Sequence, residues 1–239
     1  MSSTASLPDD DAGALDILRA ALGVLRDSPG IVAIYVVLAL VTALSSTLGN
    51  FGSIIVLGLA IVLAARTLGL DGSDASNSLG VRLLLVLVAG IVAGIGVVIG
   101  YLFLVLPGIY LTLRLRLVAA TVMLEDSGPI AALSRSFDLT EGHTWTVFGV
   151  WLVVSLVGLA VGGAVVLSMV PATSLTDPTA LQPALRVASA ASTLLTGPVV
   201  AASDAVMFGL FRTDDAAGAD GTAGDTDDVA PNARVADER

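Results

Sequence analysis

Arg114 and Arg116 stand inside an otherwise apolar run, LVLPGIYLTLRLRLVAATVMLED. An arginine in hydrocarbon costs about 2.5–3.5 kcal/mol on insertion scales, so it needs an acid, a wet cavity or an interface. Asp204 is the acid whose position answers. Arg116 lies eight residues before Leu124, and Asp204 lies eight before Arg212, which places both roughly 12 Å from the same end of their helices. Pairing Asp204 with Arg116 or Arg114 removes two lone charges at once. Successive helical residues are about 100° apart, so Arg114 and Arg116 point to nearly opposite sides. One of them takes the acid, and the other snorkels or meets helix-end carbonyls. Arg114, Arg116 and Asp204 are therefore the candidate binding residues, an intramembrane polar cluster. The plainer reading is an ion pair that fixes the fold; the sharper one is a polar pocket on a substrate path.

Other polar groups offer less chemistry. Glu125 and Asp126 follow the fourth apolar run at a helix C-terminus, where acids are electrostatically unfavourable. They read as a solvated turn, with Arg135 as the alternative partner. Glu141 and His143 lie two apart, but no nucleophile, metal set or third polar partner accompanies them. The chain has one His and no Cys, which excludes disulfides, thiolate nucleophiles and His-based metal clusters. Intramembrane proteases need paired acids or Ser and His within spans, and the spans hold the single acid Asp204. The expectation is a non-enzymatic protein with no cofactor, no metal and no nucleic-acid partner. Its expected partner is the lipid bilayer, with a membrane-protein partner or homo-oligomer as a further one.

The elements that must position these residues are apolar helices. Of the 239 residues 55% are hydrophobic and only 13% charged, against roughly 25% charged in a soluble domain. The charge deficit lies in long uncharged runs, which mark membrane spans. The formal charge of −10 belongs mainly to the ends: residues 1–11 carry −3, residues 213–239 carry −6, and residues 12–212 carry −1. Both ends read as disordered acidic tails. All eleven basic residues are arginine. With Asp-rich tails and an Ala/Val/Gly/Thr bias, that composition suggests a halophile. The polar first 28 residues do not form a cleavable signal peptide.

Residues 12–212 read as one all-α, polytopic membrane helix bundle. Residues 12–27 carry Leu15, Leu18, Leu22 and Leu25 at helical spacing and end at Ser28-Pro29-Gly30, which predicts an amphipathic surface helix. Six spans follow, at 31–48, 51–68, 83–106, 109–124, 145–170 and 187–211. A turn at Gly49-Asn50 joins the first two, and Pro107-Gly108 ends the third. The fourth is short of the ~20 residues a span needs, so it is tilted, re-entrant or buried behind others. A second surface helix is expected at 127–137, and polar loops at 71–78 and 171–182. Thr196-Gly197-Pro198 predicts a kink in the sixth span. Gly90/Gly94, Gly96/Gly100 and Gly158/Gly162 are small-residue pairs that let helices approach closely. With the N-terminus cytoplasmic, Arg19, Arg26, Arg66, Arg82, Arg135 and Arg212 all fall on the inner side, in keeping with the positive-inside rule. Both termini are then cytoplasmic in the cell membrane.

Residues 102–154 carry a recurring pattern: Leu106-Pro107-Gly108-Ile109-Tyr110, the arginine-bearing helix, Leu124-Glu125, Ala131-Ala132-Leu133-Ser134-Arg135-Ser136-Phe137, Leu139-Thr140 and Trp145. This segment resembles a broad prokaryotic family of integral membrane proteins. The family includes the membrane domain fused to some glycerophosphodiester phosphodiesterases and its stand-alone relatives. The resemblance covers about a fifth of the chain and implies a six-span bundle. It supplies no catalytic residues, and Asp204 has no match in the pattern. The phosphodiesterase chemistry needs acids and histidines around a metal, which one His cannot supply. The functional expectation is a membrane scaffold or a lipid- or solute-handling module, with a transporter using the Arg/Asp charges as the alternative.

Overall fold

The computed structural model describes residues 7–8, 12–70, 77–171, 174 and 177–223, with the backbone alone at 46–51 and 217–223. Among the described residues the regular structure is all helical, in the order α1 (Ala14–Asp27), α2 (Pro29–Leu44), α3 (Ser46–Thr67), α4 (Leu79–Phe103), α5 (Val105–Arg114), α6 (Val118–Glu125), α7 (Pro129–Leu139), α8 (Thr144–Met169) and α9 (Pro178–Ala223). α4, the α5–α6 rod Val105–Glu125, α8 and the stretch Pro178–Ala216 of α9 are each long and apolar enough to cross a membrane; α1 and α2, bent by 91°, add a fifth candidate. α3 contributes the shorter apolar helix Gly52–Thr67. This is the helix set of a membrane protein. Of the expected disordered tails, residues 1–6, 9–11 and 224–239 lie outside the described residues, as do 71–76 of the expected polar loop.

Several boundaries differ from the sequence reading, each for a local reason. α1 buries Ile17, Ala21 and Val24 and turns Leu15 and Leu22 outward. The helix is apolar on two stripes, and the one containing the small Ala21 makes the closer approach. The chain reverses at Ser45, whose backbone is extended, and Gly49 and Asn50 lie within α3. Gly-Asn permits a turn without requiring one. The break after α4 falls at Leu104, and Pro107 sits in the first turn of α5, where its missing N–H leaves no intrahelical bond unmade. There the Tyr101 ring packs on the bare backbone of Gly108, and Gly100 meets Gly108. The fourth apolar segment is longer than expected, 21 residues, but is interrupted at Leu115-Arg116-Leu117. The surface helix expected at 127–137 is α7. α9 spans 46 residues and runs unbroken through Pro183 and Pro198, extending into both the 171–182 loop and the 213–239 tail. Asp177 caps its start: its Oδ1 accepts the Thr179 N–H at 2.9 Å.

The bundle has two zones. In the packed zone every residue from 201 to 211 is buried, against Ile17, Ala21 and Val24 of α1, Ile61 and Ala64 of α3, and Leu117, Leu139 and Val147. In the other zone apolar side chains face outward: Leu102 (82% exposed), Phe103 (77%), Leu106 (77%), Leu159 (73%) and Leu167 (71%). In water such a surface would be an association liability; in a bilayer it is a lipid-facing collar. α1 is level with the packed zone, since Ala14 sits against Gly149 near the start of α8.

Candidate functional site

The Arg116 Nε donates to Asp204 Oδ1 at 2.8 Å, with the aspartate side chain 2% exposed and the arginine 16%. Two breaks in regularity make this geometry. Arg116 lies in the three-residue interruption between α5 and α6, so its side chain is released from the helical spacing of Arg114. Asp204 is carried by α9 in the middle of its wholly buried stretch. Tyr35 of α2 is buried within electrostatic reach of both. The pair thus sits within the packed zone, level with α1 and α7, and away from the lipid-facing collar. Nη2 of Arg116 and Oγ of Ser203, the residue before Asp204 in the chain, are buried without a hydrogen-bond partner among the described residues.

Arg114 goes elsewhere. Its Nε donates to the Tyr110 hydroxyl at 2.9 Å, its Nη1 donates to the Phe137 carbonyl at 3.0 Å, and the guanidinium lies 5.2 Å from the Tyr110 ring centroid. Phe137 is near the C-terminus of α7, where carbonyls attract cations. The structure therefore brings Arg116 and Asp204 together and separates Arg114 from them. Ser136 holds the interruption open: its Oγ donates to the Arg114 carbonyl and accepts the Leu117 N–H. Thr140, one turn on, donates to the Ser136 carbonyl at 2.8 Å. Sequence reasoning misses both hydroxyls, because a serine on an amphipathic helix carries no signal of what it will bond.

A second polar cluster joins α9 to the α7–α8 region. Arg135 pairs with Glu125 at 3.3 Å and with Asp215 at 2.7 Å. Burial opposes the charge on Arg135, but hydrogen bonds and attraction from Asp215 and Glu125 outweigh it and hold its pKa above the ordinary arginine value. His143 Nε2 lies 3.3 Å from Asp214 Oδ2, and the ring stacks on Phe211 with centroids 4.2 Å apart. Asp126, in the left-handed conformation, accepts both the backbone N–H and the side-chain amide of Asn77. Asp214 and Asp215 belong to the stretch expected as a tail, so these contacts are additions to the sequence reading. Arg82, expected at an inner boundary, is buried on the Arg82/Val86/Ala89 stripe of α4, its Nε without a partner among the described residues. The i, i+4, i+7 spacing of that stripe is visible in the sequence.

Chemically, the cluster around Arg116 presents an acid neutralised by a cation. Among the described residues no three His, Asp or Glu side chains are placed to hold a metal ion. Residues 48–211, more than half of the chain, match the model of a family described as a domain of unknown function, DUF7847. The matched stretch takes in Arg114, Arg116, Ser136 and Asp204 and leaves out α1 and α2. No curated protein and no solved structure matches the chain.

Proposed function

The chain belongs to the DUF7847 family, and from that premise we propose that it is a non-enzymatic, multi-pass scaffold module of the cell membrane. Its six crossings are α2, α3, α4, α5–α6, α8 and α9, and both termini are cytoplasmic. The observation that carries the scaffold reading is the Arg116–Asp204 contact of 2.8 Å. The two charges that could have received a solute are spent on each other inside a packed zone, where they fasten the interrupted α5–α6 rod to α9. The orientation is supported by the arginines. Arg19, Arg26, Arg66, Arg82, Arg135 and Arg212 gather at the end that holds α1 and α7, while the turns at Ser45 and Leu104 carry none nearby and the opposite end of α9 carries Arg186 alone. The resemblance we read in residues 102–154, to the membrane domain attached to some glycerophosphodiester phosphodiesterases, is part of the same proposal of a module that does no chemistry of its own.

A second reading, a transporter of small solutes or lipids using Arg114, Arg116 and Asp204, has one observation in its favour. Among the described residues, buried Nη2 of Arg116 and Oγ of Ser203 lack partners, as groups awaiting a ligand would. Uptake assays in vesicles holding the purified protein decide between the two. The scaffold reading expects no uptake of any solute class; uptake that disappears in Arg116→Lys would overturn it. Topology is tested separately in the cysteine-free background. Leu104→Cys should label from outside only and Ile130→Cys from inside only, and the reverse pattern sinks the orientation.

A further inference from the structure

On the collar side of α1 the fold leaves a cavity of about 290 Å³ lined by Leu18 and Leu22 of α1, Val154 and Val157 of α8, and Leu195 and Val199 of α9. Thr196 also borders it, but its hydroxyl is already bonded to the Ser192 carbonyl at 2.8 Å. Ordered water needs two to four polar partners, and this wall offers none. Its position along the helices fixes its depth. Ala14 of α1 sits at Gly149 of α8, and Val154 and Val157 lie one to two turns further toward the exposed Leu159 and Leu167. The cavity therefore opens into the hydrocarbon just beneath a helix that meets α2 at 91°.

A second apolar groove, of about 510 Å³, begins at the next residue, Gly158, and follows the α8–α9 seam past Gly162 to Val166. Measured along α8 from Val154 to Val166, the two hollows together span roughly 18 Å at 1.5 Å per residue, with Thr196 and Ser192 of α9 packed on Gly158 where they meet. Half the hydrocarbon core of a bilayer is about 15 Å, so the length suits one chain of one leaflet. Charge completes the match. Arg26 lies four residues beyond Leu22 on the same stripe of α1, is exposed, and makes no ion pair among the described residues. Its neighbour Arg19 is neutralised by Asp16 at 2.8 Å.

We propose that α1, α8 and α9 form a binding site for one anionic phospholipid, with a hydrocarbon chain in the α8–α9 groove and the phosphate at Arg26. The site rests on the membrane reading and is independent of the scaffold role. It predicts that a phosphatidylglycerol carrying a diazirine in one chain, added to phosphatidylcholine vesicles holding the full chain, crosslinks several-fold more to α1, Val154 and Val157 than to the lipid-exposed face of α4 at Ile95 and Leu102. Unlabelled phosphatidylglycerol competes at the first set only. Val157→Trp, or the milder Leu22→Phe should the first fail to fold, removes the excess labelling. Arg26→Glu abolishes the preference for phosphatidylglycerol over an equally labelled phosphatidylcholine. Labelling equal to that of α4, or unmoved by filling the groove, overturns the chain site; an unchanged headgroup preference in Arg26→Glu overturns the phosphate contact. Release of the protein from vesicles by alkaline carbonate would instead overturn the membrane reading itself.

Discussion

Ser136 bridges the interruption that frees Arg116: its Oγ donates to the Arg114 carbonyl at 2.7 Å and accepts the Leu117 N–H at 3.2 Å. Both backbone groups lost helical partners when the rod broke, and one hydroxyl on another helix satisfies both. Ser136→Ala leaves the enclosed Leu117 N–H unmet and the Arg114 carbonyl with only the Thr140 hydroxyl at 3.5 Å, and an unmet enclosed polar group costs about 1–3 kcal/mol. Thermal unfolding of the purified protein in detergent should show a clear loss of stability for Ser136→Ala. Ser134→Ala, on the exposed face of the same helix, should show none. Equal behaviour of the two variants would mean that Ser136 does not support the break.

The Arg116–Asp204 pair follows from that break and has its own signature. Removing one member of a buried pair leaves a charge without compensation, at a cost of roughly 3–5 kcal/mol. Arg116→Asp and Asp204→Arg should each lower folded yield and thermal stability sharply. The double exchange should recover a substantial part of the loss, because the charges meet again. A double variant no better than either single one would refute a fastening role.

The common depth of Arg116 and Asp204 is legible in the amino-acid sequence, because counting helical residues from two ends compares heights without knowing the packing. What surrounds the pair does not follow from counting. Tyr35 of α2 is buried within electrostatic reach of both charges, and no pattern in residues 213–216 announces that α9 continues. Those residues contain no proline, and a helix already formed propagates cheaply into them. Gly49-Asn50 and Pro107-Gly108 misplace two turns for the opposite reason. Such residues tolerate a break, whereas Ser45 and Leu104 make one because of where the neighbouring helices pack. α1 shows the limit of periodicity: with apolar residues on two stripes, Leu22 and Ala21 compete for the core, and only contact with α9 settles which stripe is buried.

Gly197 illustrates a close approach that sequence labels only as a kink. The ring of Tyr35 lies against its backbone, and a Cβ there would overlap the ring. α9 continues through the following Pro198, so the role of the glycine is to admit α2. Overpacking of this kind costs typically 1–3 kcal/mol. Gly197→Ala should therefore destabilise the protein, and Tyr35→Leu in the Gly197→Ala background should restore part of the loss by removing the obstructing ring edge. Additive losses in the double variant would show that the two residues do not meet.

Asp177 offers a pH test outside the membrane. Its carboxylate accepts the Thr179 hydroxyl at 2.7 Å and the Thr179 N–H at 2.9 Å. These bonds, with a further one from the Ala180 N–H, hold its pKa below the ordinary carboxylate range. The folded value being the lower one, the cap's contribution is complete above the unfolded-state pKa and is lost as pH falls through the depressed folded-state value. Hydrogen exchange at the amides of Thr179, Ala180 and Leu181 should thus accelerate, relative to the intrinsic rate, only in that acidic window. Asp177→Asn keeps an acceptor but no titrating charge, so its protection should stay flat over the same range. Asp177→Ala should show weak protection at every pH. An acid-induced loss of the same size in Asp177→Asn would place its origin elsewhere than at this carboxylate.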